Sequence, residues 1–281
     1  MIKEADALLT LLNDPDEATF EAIVDSLTLD AEIIPVLEKL WHKADDQLAL
    51  SRLNWLIRRA RTNKLSNELA QWQKKEGRIL EGAWLVATLH YPDLTFDEID
   101  KAVEKIVMDV WLELSDDSTP QEQIEMINSV LFGKYGIKSD KSCTTSLDNM
   151  LINNVLIKKK ANHLAMLILY LAVAERLNIP LYPVMLFRAL RLAYVDDNAT
   201  EDDKRIMFYV EPFEKGLIFD HETANRTLAK QGAAFDRKLI MIFNNALLIQ
   251  GFMLEMIMLY KVNEMNDLAD DIVEMLMKLK E

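Results

Sequence analysis

The chain reads as an α+β protein, predominantly α-helical, on three observations. Its 281 residues contain only seven glycines and seven prolines against abundant Leu, Ala, Glu, Met and Lys, a composition that favours helices. Apolar residues recur at helical spacing along most of the length. Between two helical stretches, the segment from Asn178 to Phe219 breaks into short apolar runs separated by proline and turn residues, which is how strands read. Helices packed on a small antiparallel sheet define the class.

The N-terminal part, 1–78, reads as short helices in hairpins. Asn13-Asp14-Pro15-Asp16 ends one helix and caps the next, Asp30 opens a third containing Ile33, Ile34, Leu37 and Leu40, and Asp45 or Asp46 opens a fourth through Leu50, Leu53, Leu56 and Ile57. The rhythm suits a HEAT-type repeat or an ordinary helical subdomain. Trp41, Trp55, Trp72 and Trp84 fall on helical faces and read as packing residues. From Glu81 a helix, a Tyr91-Pro92-Asp93 turn and a second helix follow, then a helix capped near Ser118 or Thr119. The polar stretch Lys138 to Thr145 breaks the period. Asp148 to Lys160 and Leu164 to Leu177 are helices, the second apolar all round and hence central. NIPLYPVMLFRALRLAYV predicts two strands, 196–204 a hairpin loop, Ile206 to Val210 a third strand and Leu217 to Phe219 a short fourth. Two helices, about Asp236 to Lys261 and Asn266 to Lys280, form a C-terminal pair, 233–281.

Charge and cysteine content exclude several functions. A formal charge of −14, from 46 acidic against 32 basic residues, repels phosphate backbones and anionic lipids, so no nucleic acid is expected as a partner. One cysteine, Cys143, cannot build a disulfide framework, and MIKEADALL is no secretory signal, so a cytoplasmic location is expected. Leu239 to Tyr260 approaches the roughly 20 residues of a membrane span. It also carries Asn244, Asn245, Gln250 and Glu255, which are costly in hydrocarbon, and reads as a buried helix with no membrane partner. Four scattered histidines, no cysteine pairs and no H-E-x-x-H predict no metal, and the absence of a glycine-rich phosphate loop predicts no cofactor. Neither a G-x-S-x-G elbow nor a credible Ser-x-x-Lys appears. The basic run Lys158-Lys159-Lys160 reads as a solvated helix end rather than an anion site.

The blocks EGAWLVATLHYPDL, TPQEQIEMINSVLF, LINNVLIKKK, LYLAVAERLNIPLYPV and FYVEPFEKG, in this order across roughly Leu80 to Leu228, resemble the bacterial transglutaminase-like family typified by the SirB regulator-type proteins. The resemblance implies a papain-like transglutaminase core over 79–232, with a nucleophile on a central helix packed against a sheet that carries a histidine and an acid. It also implies a tetratricopeptide-like identity for the C-terminal helix pair. A thiol at the start of that helix would gain from the helix dipole and a neighbouring imidazolium. In the matching segment Ala161-Asn162-His163-Leu164-Ala165-Met166 the nucleophile position falls on Ala165. The base, on the first strand after the helix, falls on Ala189 in Phe187-Arg188-Ala189-Leu190-Arg191. The orienting acid corresponds to Glu211. Asn162, His163, Ala165, Ala189 and Glu211 are thus the vacated active-site positions or a binding cleft, with no catalytic residue among them.

Two functions follow as expectations. One is a non-catalytic binding or scaffold protein on a degenerate transglutaminase-like fold. The other is a cysteine or other hydrolase or acyltransferase with a rebuilt site near Asn162, His163 and Glu211, in which Cys143 would need His163. Half of the 14 methionines lie between Met241 and Met277, a flexible surface suited to a protein partner. Met253, Met256 and Met258 cannot share one face of a helix, so part of that circumference must be covered, by the chain itself or by a second protomer. The sequence leaves the oligomeric state open.

Overall fold

The computed structural model describes residues 2–142, 146–186, 188–196, 198–199, 205–230 and 240–279. Cys143, most of the expected loop 196–204 and the start of the expected helix at Asp236 lie outside them. The described residues form a predominantly helical α+β fold, as the composition predicts: twelve α-helices, a four-stranded antiparallel sheet and one short parallel strand pair. Contacts divide the chain into two compact units, Met1–Gln71 with Val273–Glu281, and Trp72–Ile272.

In the first unit α1 (Ile2–Leu12), α2 (Glu17–Ser26), α3 (Ile34–Trp41) and the first part of α4 (Gln47–Lys74) surround Leu12, Ile23, Leu37, Leu40, Leu53 and Leu56. Aspartates stop and start these helices, because a side-chain oxygen satisfies an orphan first-turn N–H. Asp16 accepts from Ala18 N at 3.1 Å, and Asp46 accepts from Leu48 N at 2.8 Å. Arg52 is buried and compensated: it donates to the carbonyls of Leu12 (3.2 Å) and Asp14 and reaches Glu17 at 3.2 Å. Residues 273–279 belong here, with Arg59 Nη2 donating to Glu274 Oε1 at 2.9 Å. Of the four tryptophans expected to pack, only Trp72 is fully enclosed. Trp41 and Trp55 remain exposed, edge-on to His42 and Phe20.

The larger unit is organised around α9 (His163–Arg176), whose residues Ala165 to Ala174 are all buried. Such a helix has no polar face, so it must be covered on every side. It packs against α5 (Ile79–Thr88), α6 (Phe96–Trp111), α7 (Pro120–Asn128), α8 (Ile152–Lys158) and the sheet. The sheet runs β3 (Leu181–Leu186), β4 (Ala189–Val195), β5 (Ile206–Glu211) and β6 (Leu217–Phe219) in chain order, every pair antiparallel. β1 (Lys138–Ser139) pairs in parallel with β2 (Lys160–Ala161), immediately before α9. Helix α10 (His221–Lys230) follows the sheet, then α11 (Asn245–Val262) and α12 (Asn266–Lys278).

Two elements differ from the expectation. β3 ends at Leu186 and β4 opens at Ala189, its register partner, with Arg188 between them in the left-handed region at φ 61°. Ala189 therefore opens the second strand after α9, not the first. The penultimate helix begins at Asn245, later than the expected Asp236. Before it, Ile242 bridges to Val184 of β3, Phe243 N donates to Pro183 O at 2.8 Å, and Asn244 caps the helix by accepting from Leu247 N at 2.9 Å. Extended backbone at an open strand edge outcompetes helix there because β3 offers unpaired groups. Helix α11 packs on α5 within the larger unit.

Candidate functional site

The candidate site is built where the start of α9 meets the end of β5. Asn162 has extended backbone and caps α9, its Oδ1 accepting from Ala165 N at 2.8 Å. Its Nδ2 donates to Glu255 Oε1 of α11 at 2.9 Å. Glu255 is an exposed residue, yet desolvation by its neighbours raises its pKa, and the charge of His163 opposes that rise.

His163 occupies the first turn of α9, with Nε2 3.5 Å from Glu211 Oε1; the side chains are 31% and 7% exposed. Its ring leans on Phe213, centroids 5.6 Å apart. Glu211 ends β5 and serves three neighbours: His163, Phe213 N, which donates to Oε1 at 3.2 Å, and the Nε of Arg191, which pairs with Oε2. Arg191 is only 17% exposed. The register pairs Leu192 with Val210, so one step further along brings Arg191 opposite Glu211. A carboxylate this enclosed needs a fixed counter-charge, and a guanidinium, always protonated, supplies one but cannot accept a proton.

The turn behind Glu211 is pinned. Gly216 sits at φ 70° with Asn128 pressed against its α-carbon, where a side chain would collide. Asn128 Nδ2 donates to Gly216 O at 3.0 Å while its Oδ1 accepts from Tyr170 of α9 at 2.8 Å. Ser139 of β1 donates to Phe213 O. On the other flank, buried Asp140 accepts from Asn149 Nδ2 at 2.5 Å, Ser142 N at 3.0 Å and Lys160 Nζ at 2.9 Å. Hydrogen bonds from Ser142, Asn149 and Lys160 hold its carboxyl well below the usual range. Asn149 O in turn accepts from Asn162 N at 2.6 Å. The cap of α9 thus hangs from a polar brace that begins at Asp140.

Of the five positions singled out from the sequence, the fold brings Asn162, His163 and Glu211 together. Ala165 lies in the first turn of α9 but is 1% exposed, with its N–H turned to the cap. Ala189 pairs with Leu186 at the hairpin end, two residues from Arg191. Sequence reasoning missed Arg191 and Glu255. Strand alternation puts Arg191 on the same face as Ala189, and a lone carboxylate closing an apolar strand signals a partner nearby. Nothing local points to Glu255, 93 residues from Asn162. The lysine run is engaged: Lys158 with Asp148 at 2.5 Å, Lys159 over the Tyr135 ring at 5.4 Å, and Lys160 with Asp140. Among the described residues no three His, Cys, Asp or Glu side chains converge as metal ligands would.

A concavity of about 760 Å³ opens at the other end of α9, lined by residues that include Arg78, Glu175, Asn178, Tyr182 and Asn245. There Glu175 accepts from Ile79 N at 3.1 Å and from Asn245 Nδ2 at 2.6 Å. Desolvation raises its pKa, against those bonds and the charges of Arg78 and Arg176. This carboxyl ties together α5, α9 and α11.

Residues 97–250, just over half of the chain, match the Transglutaminase-like superfamily, and the chain belongs to it. No curated protein and no solved structure matches it. One helix among the described residues, Asn245–Val262, is long and apolar enough to cross a membrane, and 44% of it is buried inside the protein.

Proposed function

We propose that the chain is a non-catalytic binding or scaffold protein, a degenerate member of the SirB regulator-type branch of its superfamily, working in the cytoplasm. What carries the reading is the Glu211 cluster. The acid that would orient a base is bound instead to Arg191, and the start of the central helix offers His163 and buried Ala165 rather than a thiol. A methyl group cannot attack a carbonyl, and a guanidinium cannot relay a proton. The single cysteine also favours a reducing compartment.

A second reading rests on the 3.5 Å approach of His163 to Glu211. A carboxylate beside an imidazole can orient it as a general base, which would make the protein a hydrolase or acyltransferase with a rebuilt site. Timed labelling of Cys143 by a mild thiol electrophile at neutral pH separates the two where they differ over a thiol nucleophile. The binding reading expects the rate of an ordinary free thiol. Hyper-reactivity that is lost in His163→Ala would overturn it.

A further inference from the structure

Helix α11 is apolar on two sides, and among the described residues only one of them is covered. Leu248, Ile249, Phe252, Met253, Met256 and Ile257 are buried. Leu247, Leu254 and Met258 are 45%, 56% and 65% exposed. With Gly251 these outer positions fall at 247, 251, 254 and 258, the alternating spacing of four and three residues that makes a coiled-coil seam. Among the described residues, none stands within 4 Å of where a side chain on Gly251 would begin. The seam is therefore a row of projecting side chains with one notch in it.

From this geometry we infer that α11 pairs with α11 of a second copy, antiparallel, about a twofold axis between residues 252 and 253. In that register Leu254 of one copy enters the notch over Gly251 of the other, and Leu247 faces Met258. Each contact occurs twice, as an isologous interface requires. A shift that sets Leu254 against Met258 puts Lys261 over Gly251, burying a charge beside a gap. Antiparallel alignment also sets the positive end of each helix dipole beside the negative end of its neighbour. A second copy fits better than an unrelated protein because the knob and the hole lie on the same helix. Met258 adds a side chain that adapts to imperfect fit. Four seam positions give a small interface, at the low end of those that hold proteins together, so the association is weak and reversible. Glu255, next to Leu254, holds Asn162, so the seam runs beside the rim of the candidate site. The pairing stands whether or not that site is catalytic.

The test is sedimentation velocity on the full chain over a concentration series, with crosslinking in a Cys143→Ser background. Wild type should dimerise reversibly, and Leu254→Asp should weaken the dimer on the order of 100-fold, as loss of a central apolar contact does. Gly251→Leu fills the notch, adds helix propensity and should also weaken the dimer, so a loss of pairing there cannot be blamed on unfolding. A short bifunctional thiol reagent should link the double variant Leu247→Cys/Met258→Cys. It should not link Leu247→Cys alone, whose two copies would lie about 16 Å apart along the helices. A wild type that remains monomeric, a dimer indifferent to both seam variants, or crosslinking of Leu247→Cys alone would overturn the proposal. So would a monomer that binds vesicles through this face.

Discussion

Arg191 and Glu211 face one another across adjacent strands, and their ion pair fixes the acidic corner of the candidate site. Both side chains are largely enclosed, 17% and 7% exposed, so each depends on the other for compensation. Removing the cation alone strands a buried carboxylate. Arg191→Ala should cost about 3 kcal/mol in unfolding free energy, while Arg191→Ala with Glu211→Leu should recover much of that. Chemical denaturation of the two variants checks the order. A double variant no more stable than the single one would mean that packing, not charge, holds this corner.

Asn162 serves the fold through its cap and the site through Glu255. Asn162→Ala should cost about 1 kcal/mol, the usual worth of an N-cap. Asn162→Ser restores an acceptor for Ala165 N but cannot reach Glu255 as a donor, so it should recover most of the stability. Thermal melts of the pair separate the two roles. Equal losses in Ala and Ser would place the stability in the Glu255 bond instead.

The brace at Asp140 has a definite pH signature. Its native pKa is depressed by hydrogen bonds from Ser142, Asn149 and Lys160 below the ordinary 3.8. A depressed carboxyl contributes stability above its unfolded pKa and loses it as pH falls through the lower native value. The penalty of Asp140→Asn should therefore be constant from pH 7 down to about 4 and shrink only below that. A penalty that changes between pH 5 and 7 would contradict the assignment.

Glu175 behaves in the opposite sense. Desolvation raises its native pKa above the ordinary 4.5, so its contribution is fully present below pH 4.5 and is lost as pH rises through the native value. The melting temperature of Glu175→Gln minus that of wild type should fall as pH is lowered from neutrality to pH 4.5. A difference that does not move with pH would show that Glu175 titrates as it does in the unfolded chain.

Much of this fold is legible in local pattern. The apolar run from Leu164 to Leu177 announces a helix covered on all sides, and the apolar runs that follow announce two strands within 178–195 and a third from Ile206. Errors arise where long-range pairing decides. Arg188 takes a left-handed turn with no glycine or asparagine to announce it, so attention falls on Ala189 rather than on Arg191 two residues on. The start of α11 is set by a bridge to β3, some 60 residues earlier in sequence. Asn162, His163 and Glu211 are legible because they flank a recognisable central helix and strand. Glu255 is not, since only the packed fold brings α11 to the cap of α9.

A binding protein of the kind proposed does not turn over substrate. It is tested by steady-state hydrolysis of an activated ester, and by transfer of the γ-acyl group of a glutamine side chain to an amine with release of ammonia, in wild type and His163→Ala. A non-catalytic site gives rates indistinguishable from each other and from buffer. Turnover in wild type that disappears in His163→Ala, with the fold intact, would contradict it.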